Sequence, residues 1–268
     1  MDLSIITVTH NAKANIAEQI RSVILAARGL DFEQIVVDNN STDGTPDYIE
    51  GEFPDVRIIR NSVNRGFGKA NNQGVEVSSG DFILFLNPDN VFLQSGLPSE
   101  ALAKEGDLKR WFEWMKARPD VGIAGCKLVD AKGQLNLMAT PRKFPSVLDM
   151  IITLLKLPHI FPNVLNKYLY KDRNFEIEQV VDSVRGSCML MRREITKKLG
   201  FAFDPRYFFW FEDVDTCREA KRLNYKVVYT PIVFCRDLVG QTIKKKNFLW
   251  KQKQFLKGAC QYFWKWGL

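Results

Sequence analysis

The sequence predicts a doubly wound α/β fold built on a mostly parallel sheet. Two observations lead to this class. Apolar, β-branched strand patterns alternate with helical patterns over the first 90 residues, and the strands are mainly apolar over their length. Such strands are typical of a parallel sheet with both faces covered, and the alternation is typical of βαβ units. At 268 residues, 46% of them hydrophobic, the chain can bury a substantial core.

The elements are expected in a simple order. Over the first 90 residues, strands fall at 3–11, 34–41, 56–61 and 82–87, and helices at 14–28, 43–51 and 68–77. Beyond them, the patterns predict a helix over 95–118, paired strands over 121–130 and 133–140, a loop or lid over 141–179, a strand over 180–194, a helix over 212–225 and a last strand over 226–234.

All four early strands end in polar side chains. These ends are Thr9-His10-Asn11, Asp38-Asn39-Asn40-Ser41, Asn61 to Asn64, and Asn87-Pro88-Asp89. In open α/β sheets, ligands bind beyond the carboxyl ends of the strands. Any one stretch could be an ordinary loop, but four at one edge predict a binding site.

The location of the net charge bears on the class of partner. The chain carries +7, and residues 241–268 hold seven lysines and no acidic residue, which leaves 31 basic against 31 acidic residues elsewhere. A nucleic-acid-binding domain would carry its positive charge on the fold itself. We therefore expect no nucleic acid partner.

Composition also bears on the cellular compartment. No apolar stretch reaches the roughly 18 residues that span a bilayer, and the N-terminal MDLSIITVTHN lacks the basic start of a signal peptide. The five cysteines are widely spaced and form no CxxC pair. This favours reduced thiols in the cytoplasm over disulfides or a zinc site.

Three stretches could carry chemistry. NRGFGKANNQG (residues 64–74) begins like the GxGxxG fingerprint of dinucleotide-binding proteins, but Asn71 stands where the third glycine should be. The stretch therefore fits either a phosphate site at the start of a helix or a helix start without a ligand. Asp38, at a strand end, could accept hydrogen bonds from a nucleobase or a ribose. In FDPRYFFWFEDVDTC (residues 203–217), acidic residues follow aromatic ones, which fits a helix N-terminus or a sugar-binding wall with a general base.

Taken together, six stretches resemble the family 2 glycosyltransferases of the GT-A fold, in particular the rhamnosyltransferase-like branch that builds bacterial surface polysaccharides. They are SIITVTHN, IVVDNNSTDGT, NRGFGKANNQG, FILFLNPD, VRGSCMLMRRE and FFWFEDVDTCREAKRLNYKVVY, in the family's order. The resemblance implies a GT-A-like sheet, a dTDP- or UDP-sugar donor, Mg²⁺ or Mn²⁺, and inversion at the anomeric carbon. It also implies a saccharide or lipid-diphosphate-linked acceptor, with rhamnose as the candidate sugar.

The resemblance assigns roles to single residues. Asp213 matches the catalytic base, and Trp210 and Glu212 would line the acceptor pocket. Asp89, in the Asn87-Pro88-Asp89 variant of the DxD motif, would bind the metal. The residues that would contact the donor are Thr9, Asn11, Asp38, Asn40, Asn64, Arg65, Gly66, Asn71 and Asn87, with Asn72 beside them.

The chemistry of these residue types agrees with the assignment. A hard divalent ion prefers oxygen ligands, and one or two carboxylates suffice when a substrate diphosphate supplies the rest. A single base can then deprotonate an acceptor hydroxyl, because the metal-bound diphosphate is already a good leaving group. A glycosidase would instead need two carboxyl groups that flank the bond.

One position departs from the family pattern. Members often carry a metal-binding histidine shortly after the last strand, but VFCRDLVGQT (residues 233–242) has none, and the chain's two histidines are His10 and His159. Asp237 or Cys235 could take that place. Asp237, an oxygen ligand, suits Mg²⁺ better.

Residues 241–268 are predicted to form a basic, aromatic helix. Its apolar residues recur at three- and four-residue steps, with the lysines largely elsewhere; they are Phe248, Phe255, Leu256, Ala259, Phe263 and Trp266. Such a helix suits an anionic membrane, which would place the protein at the inner face of the plasma membrane. The alternative is a terminal helix packed on its own domain, with a solvated basic edge.

The expected organisation is one glycosyltransferase domain over residues 1–240, with a nucleotide-binding half (1–90) and an acceptor half (91–240), followed by the C-terminal helix. A competing enzyme class is a nucleotidyltransferase on a similar sheet, although the chain has no GxxxxGK[ST] phosphate loop. A competing non-enzymatic interpretation is a catalytically impaired relative that binds sugar or membrane.

Overall fold

A mixed sheet with helices on both faces forms the body of the chain, which confirms the predicted α/β class. The computed structural model describes residues 1–93, 106–137, 139, 141–154, 162–237 and 247–267. Within them, the strands are β1 (Leu3–Thr9), β2 (Phe32–Asp38), β3 (Arg57–Arg60), β4 (Phe82–Leu86), β5 (Asn90–Leu93), β6 (Val121–Val129), β7 (Gln179–Val180), β8 (Cys188–Arg192) and β9 (Lys226–Asp237). The helices are α1 (Lys13–Ala26), α2 (Thr45–Glu52), α3 (Phe67–Glu76), α4 (Asp107–Lys116), α5 (Val147–Leu154), α6 (Pro162–Tyr168), α7 (Arg193–Leu199), α8 (Glu212–Arg222) and α9 (Phe248–Trp266).

The strand order brings several chain segments to one edge of the sheet. The order is β3-β2-β1-β4-β8-β6-β9-β5, with β7 paired to β9. β1 runs parallel to β2 and β4, and β2 runs parallel to β3. β8 is antiparallel to β4, and its first residue, Cys188, faces Leu86 at the end of β4. The carboxyl ends of the parallel strands and the loop before β8 therefore meet.

Alternate side chains of the strands pack into apolar layers on opposite faces. On one face, Leu3 and Ile5 of β1 pack with Leu84 of β4 against α1 and α4. On the other face, Ile6 and Phe85 pack against α7 and α8. All five side chains are fully buried, and each such burial contributes roughly 1.5–3 kcal/mol. The continuously apolar strands of the sequence thus reflect a sheet covered on both faces.

The structure corrects the sequence prediction at several strands. In the described part of 133–140, Leu135 makes one isolated bridge to Val129 and no strand forms. The segment turns back on the end of β6 through backbone hydrogen bonds from Asp130 N to Gln134 O and from Asn136 N to Leu128 O, and the pairing stops at this single bridge. The single strand expected over 180–194 is divided into β7 and β8 by a turn at Gly186-Ser187. β5, which the sequence did not predict, pairs with β9.

Two other expected segments are described only in part. The helix expected over 95–118 is α4 in its second half, while residues 94–105 lie outside the described residues. The predicted loop or lid over 141–179 contains α5 and α6, with 155–161 again outside. Among the helices that the structure describes, none combines the length and the apolar character needed to cross a membrane.

The C-terminal helix α9 packs on the body of the protein. Its Ala259 and Tyr262 are buried in an apolar cluster with Phe211, Val214 and Met150, and we call this set the α9 cluster. Of the six residues predicted to form the membrane-facing stripe, four are in or against the α9 cluster: Phe255, Ala259, Phe263 and Trp266. The alternative of a helix packed on its own domain therefore describes this side of α9.

Lys265 ties the end of α9 to acidic residues of the domain. Its Nζ lies 3.1 Å from Asp204, 2.7 Å from Asp215 and 2.9 Å from Glu219, and 13% of its side chain is exposed. We expect Lys265→Gln to lower the free energy of unfolding by about 3–5 kcal/mol, because the fully buried Asp215 loses the cation that pairs with it. Urea unfolding measures the change. Lys257→Gln, at an exposed position of the same helix, is the control, and equal losses in both variants would contradict this role.

Candidate active site

The polar ends of β1 and β2 lie side by side, as predicted. Thr9 and Asp38 are register partners. The Asp38 carboxylate accepts hydrogen bonds from Thr9 Oγ1 (2.9 Å), from Ser41 N (2.8 Å) and from Ser41 Oγ (2.5 Å). Because a carboxylate has about four acceptor sites, these bonds orient Asp38 and leave limited capacity for a ligand.

Asn39, which the sequence analysis did not single out, links β2 to the loop before α3. Its Nδ2 donates to Gly66 O (3.0 Å), and its Oδ1 accepts from Arg65 N and from Asn61 Nδ2 (both 3.1 Å). The side chain is 2% exposed. Asn39 thus fixes the position of residues 64–66. Its place directly after Asp38 is the feature of the sequence that could have identified it as a site residue.

Gly66 brings this loop against the aromatic segment before α8. Its φ is +84°, and a Cβ built on it would lie 2.5 Å from Phe208 O. The next residue, Phe67, donates its backbone N–H to the same oxygen (3.0 Å). The two predicted parts of the site are therefore in direct contact, and only glycine fits between them.

Gly66→Ala is expected to lower the free energy of unfolding by about 2–4 kcal/mol. The substitution adds an unfavourable φ and forces a carbon atom onto a backbone oxygen. Equilibrium unfolding in urea measures the loss. Gly51→Ala in α2 is the matched control, because its Cβ meets nothing within 4 Å and alanine should add about 0.5–1 kcal/mol in a helix. Equal effects at both positions would remove the steric argument.

Two asparagines of α3 have partners within the protein. Asn71 is buried, and its amide donates to Phe67 O (3.0 Å). Asn72 accepts from the backbone N–H groups of Ala202 and Phe203 (both 3.0 Å) and donates to Phe203 O (2.7 Å). These contacts favour a positioning role for both residues over direct contact with a ligand.

The predicted site residues that are more exposed lie around the same edge of the sheet. Asn11 and Asn40 have left-handed backbones, with φ of 57° and 66°, which asparagine tolerates better than most residues. The side-chain oxygens of Asn11 and Asn64 accept from loop N–H groups at 2.8 and 2.9 Å. Arg65 is exposed, and its guanidinium makes no hydrogen bond to any described residue. Arg65 is therefore available to an anionic group.

The turn after β4 meets the end of β9. Asn87 N donates to Ser187 O (2.9 Å), and Asn90 Nδ2 donates to the same oxygen (2.9 Å). Asn90 is the register partner of Asp237, whose Oδ2 accepts from Ser187 Oγ (2.8 Å). Asp89 directly precedes Asn90 and, like Asp237, is buried. The structure thus brings the two predicted metal ligands to the same place.

The oxygen atoms here fit a hard divalent cation. Asp89 and Asp237 supply carboxylates, and Asn90 Oδ1 is buried with no hydrogen-bond partner among the described residues. An unsatisfied buried oxygen is costly, and a cation would satisfy it. No group of three or more His, Cys, Asp or Glu side chains in the described part of the chain forms a complete metal site. A bound ion would therefore take further ligands from substrate.

The aromatic segment enters α8 through an unfavourable backbone. Trp210 and Phe211 have left-handed φ angles of 67° and 70°, each of which costs about 1–3 kcal/mol. Trp210 packs 6.1 Å from the Phe255 ring of α9. Two residues into α8, Asp213 Oδ2 accepts from Gly186 N (3.1 Å). This backbone therefore aims Trp210 toward α9 and Asp213 toward the loop before β8.

The turn Gly186-Ser187 joins the two acidic groups. Gly186 N contacts Asp213, and Ser187 Oγ contacts Asp237. A Cβ at Gly186 would lie 3.2 Å from Asp213 Cβ, so the approach is close. The carboxylate predicted as a base and the carboxylates predicted as metal ligands are thus linked through one dipeptide. No role was predicted for Ser187, although it is the polar residue that directly precedes β8.

Glu212 is a buried carboxyl group with a shifted pKa. It is 6% exposed, and its Oε2 has no hydrogen-bond partner among the described residues. Burial, together with the negative charge of Asp213, raises the pKa of Glu212 to about 8, although Arg185 opposes the shift. Glu212 therefore holds a proton near neutral pH.

This shift predicts a pH-dependent stability. As the pH rises from about 4.5 to about 8, the unfolded chain releases the Glu212 proton while the folded protein keeps it, so stability falls. We expect Glu212→Gln to exceed the wild type in free energy of unfolding by about 2 kcal/mol at pH 8.5, with a smaller difference at pH 5. Urea unfolding at both pH values tests this. Glu52→Gln, at an exposed carboxyl, should change neither value, and a pH-independent gain in Glu212→Gln would contradict the argument.

Comparisons with known sequences bear on this site. The family model of glycosyl transferase family 2 matches residues 4–200. An N-acetylglucosaminyl-diphospho-decaprenol L-rhamnosyltransferase of Mycobacterium tuberculosis is 27% identical over 240 residues, which cover 85% of this chain and 73% of that protein. The rhamnosyltransferase WbbL of Escherichia coli is 27% identical over 173 residues, which cover 62% of this chain and 58% of WbbL. These relatives confirm the resemblance to the rhamnosyltransferase-like branch.

Solved structures share the fold. The mannosyltransferase PcManGT of Pyrobaculum calidifontis, in complex with GDP-Man and Mn²⁺, has a TM-score of 0.59 at 19% identity, covering 97% of this chain and 64% of that one. S. aureus TarS 1-349 in complex with UDP-GlcNAc has a TM-score of 0.57 at 18% identity, covering 92% and 62%. The chain thus spans less than two thirds of either structure. At these identities the similarity confirms the predicted GT-A-like fold.

Proposed function

The chain belongs to glycosyl transferase family 2, and from this membership we propose that it transfers a sugar from a nucleotide diphosphate sugar with inversion at the anomeric carbon. The rhamnosyltransferase relatives favour rhamnose from a dTDP donor, with a UDP-sugar as the second candidate. The name of the M. tuberculosis relative includes a diphospho-decaprenol acceptor, which favours a lipid-diphosphate-linked saccharide here, as in surface polysaccharide synthesis.

One observation carries the proposal: the Gly186-Ser187 turn contacts Asp213 at one residue and Asp237 at the next. Sugar transfer with inversion needs a base for the acceptor hydroxyl and a separate group that stabilises the leaving diphosphate. The two contacts of this turn support a base and a leaving-group site that adjoin one another. A glycosidase would instead need two carboxyl groups, one on each side of the bond that is cleaved.

The donor would bind at the ends of β1 and β2. Asp38, held by Thr9, has remaining acceptor capacity for a nucleobase or ribose hydroxyl. The start of α3 after Gly66 offers the positive end of a helix, and the exposed Arg65 adds a cation. Asn87 lies at the junction with the diphosphate, since its backbone is fixed to Ser187.

Asp89 and Asp237 would hold a divalent ion, Mg²⁺ or Mn²⁺, with the orphaned Oδ1 of Asn90 beside them. When bound, such an ion offsets the charge that develops on the leaving diphosphate. Asp237 then occupies the place where family members often have histidine. An oxygen ligand there suits Mg²⁺.

Asp213 would accept the proton of the acceptor hydroxyl. The hydroxyl oxygen forms the new bond to C1 while the bond from C1 to the diphosphate oxygen breaks, which inverts the configuration. Gly186 N fixes one oxygen of Asp213, so the carboxylate is oriented before substrate binds. Trp210 and the protonated Glu212 border the acceptor side.

A donor screen tests the proposal. Release of nucleoside diphosphate would be measured with dTDP-rhamnose, UDP-GlcNAc and GDP-mannose, with farnesyl-diphospho-GlcNAc as acceptor and with or without Mn²⁺. We expect one donor to react, only with metal present, and to give a product of inverted configuration by NMR. Donor binding without release would indicate an impaired relative, and pyrophosphate release from a nucleoside triphosphate would indicate the nucleotidyltransferase alternative.

We further propose that the outer side of α9 contacts an anionic membrane. Leu249, Leu256 and Trp264 are 73%, 43% and 81% exposed, and Lys253 and Lys257 lie exposed between them. Their spacing of three, four, seven or eight residues places them on one helix face. Apolar side chains interspersed with lysines suit the interface of an anionic bilayer.

The neighbouring helix α5 extends this surface. Its Met150 joins the α9 cluster, while its Val147, Leu148 and Ile151 are 46%, 58% and 47% exposed. Two adjacent helices with outward apolar side chains present more area to a bilayer than α9 alone. We call the outward residues of α5 and α9 the membrane face.

Flotation with phosphatidylglycerol-containing vesicles tests the membrane face. The double variant Leu249→Ser/Trp264→Ser should reduce the bound fraction by about tenfold or more, because both side chains lose apolar burial. Ile24→Ser, at an exposed position of α1 (48% exposed), is the control. Undiminished binding of the double variant would refute the proposal, as would equal binding to neutral phosphatidylcholine vesicles.

A further inference from the structure

Arg185 is a cation without a hydrogen-bonded partner beside the proposed base. It directly precedes the Gly186-Ser187 turn. Its Nε is buried and has no hydrogen-bond partner, and its guanidinium makes no hydrogen bond or ion pair with any residue that the structure describes. The residue as a whole is half-buried, and a buried polar atom that is left without a hydrogen bond costs free energy. The roles proposed above leave Arg185 unused.

A second arginine increases this cost. Arg142 and Ser183 exchange two backbone hydrogen bonds (both 3.0 Å), which brings Arg142 next to the segment that carries Arg185. Burial and the positive charge of Arg142 both lower the pKa of Arg185, while Asp213 and Asp237 partly offset them. Two guanidinium groups on neighbouring segments, one of them with a buried Nε that has no hydrogen-bond partner, form a candidate site for an anionic ligand.

The position of the pair indicates which anion. The guanidinium of Arg142 lies 5.9 Å from the ring centroid of Tyr168 in α6, and Tyr168 packs against the α9 cluster. The pair therefore lies between the membrane face and Asp213. The proposed nucleoside-binding residues Thr9 and Asp38 lie at the ends of β1 and β2, and the proposed ion site begins at Ser187, which contacts Asp237. An anion that arrives from the bilayer with the acceptor would reach the arginines first.

We propose that Arg142 and Arg185 bind the phosphate group of a lipid-diphosphate acceptor and so place its sugar hydroxyl at Asp213. This proposal rests on the proposed function, because it assigns residues to the acceptor that is proposed for that same site. The planar guanidinium group matches a phosphate with two parallel hydrogen bonds. An acceptor sugar without phosphate would lack this anchor.

Calorimetry with farnesyl diphosphate and farnesol tests the proposal without sugar transfer. The two probes share the apolar chain, so their difference reports the phosphate alone. The wild type should bind farnesyl diphosphate about tenfold or more tightly than farnesol, and Arg185→Gln should lose about 10- to 100-fold in affinity for farnesyl diphosphate only. Arg28→Gln, at an exposed arginine of the opposite sheet edge, should match the wild type. Equal affinity for the two probes in the wild type would overturn the proposal.

A second arm separates the acceptor from the donor. The titration is repeated with saturating dTDP or UDP and Mg²⁺, which occupies the donor's own diphosphate position. Farnesyl diphosphate should still bind, and Arg185→Gln should change nucleotide affinity by less than about twofold. Competition between the nucleotide and farnesyl diphosphate would assign the arginines to the donor and overturn the proposal. A protein that binds farnesyl diphosphate through Arg185 but no nucleotide sugar would refute the proposed function and leave the phosphate site intact.

Thermal unfolding separates a ligand site from a structural arginine. Arg185→Met removes a half-buried charge whose Nε has no hydrogen-bond partner, so the ligand-free variant should be at least as stable as the wild type. Farnesyl diphosphate should raise the Tm of the wild type and not of the variant. A variant that is clearly less stable than the wild type without ligand would show that Arg185 supports the fold, and the proposal would fail.

Discussion

Asp213→Asn is expected to lower the rate of sugar transfer by about 10²- to 10⁴-fold while the nucleotide sugar binds unchanged. The amide nearly preserves the size of the side chain but cannot take the proton of the acceptor hydroxyl. Its oxygen can still accept from Gly186 N, so the turn before β8 should keep its position. Turnover under saturating donor and calorimetric donor affinity measure the two quantities separately.

The control for this substitution is Asp55→Asn, which makes the same chemical change at an exposed aspartate. It should leave both quantities unchanged. The pH profile adds a further criterion, because loss of a base removes the acidic limb of the rate profile. If Asp213→Asn keeps more than about a tenth of the activity, Asp213 is not the base. If it weakens donor binding to the same degree as turnover, the residue acts on the donor instead.

The sequence predicted the elements of residues 1–90 well because they are local. The strand β4 is a continuous apolar run, and β1 and β2 are mainly apolar, so their existence and their polar ends follow from patterns of a few residues. Asp38 and Asp89 could be named because they stand directly after such runs. The helix α8 could be placed because three acidic residues open it.

The remaining features depend on contacts between distant segments. β5 exists because β9 offers it an edge, and Asn90 to Leu93 is too short a stretch to predict alone. Ser187 and Arg185 gain their positions from an antiparallel strand, whose pairing to β4 no local pattern reveals. The apolar stripe of α9 was visible in the sequence. The sequence did not show that this stripe packs against Phe211 and Val214 instead of a bilayer, because those residues come together only in the folded protein.

Asp89→Asn should lower sugar transfer by about 100-fold or more and should abolish the effect of Mn²⁺ on donor affinity. The substitution removes a carboxylate from the proposed ion site, and the leaving diphosphate then loses its main charge stabilisation. Calorimetry with the nucleotide sugar, with and without Mn²⁺, measures the metal effect independently of turnover. Asp81→Asn is the matched control, because this exposed aspartate precedes the other end of the same strand, β4.

Asp237→Asn tests the second proposed ligand of the same ion, because Asp237 stands where family members often carry histidine. If Asp237 is a ligand, its amide variant should show a weaker form of the same defect, with about 10- to 100-fold lower metal affinity. Asp237→His should then restore binding and shift the preference from Mg²⁺ toward softer ions such as Mn²⁺. If Asp89→Asn keeps a donor affinity that rises with Mn²⁺, the carboxylates at this turn serve the fold, through bonds such as Ser187 to Asp237, and the ion binds elsewhere.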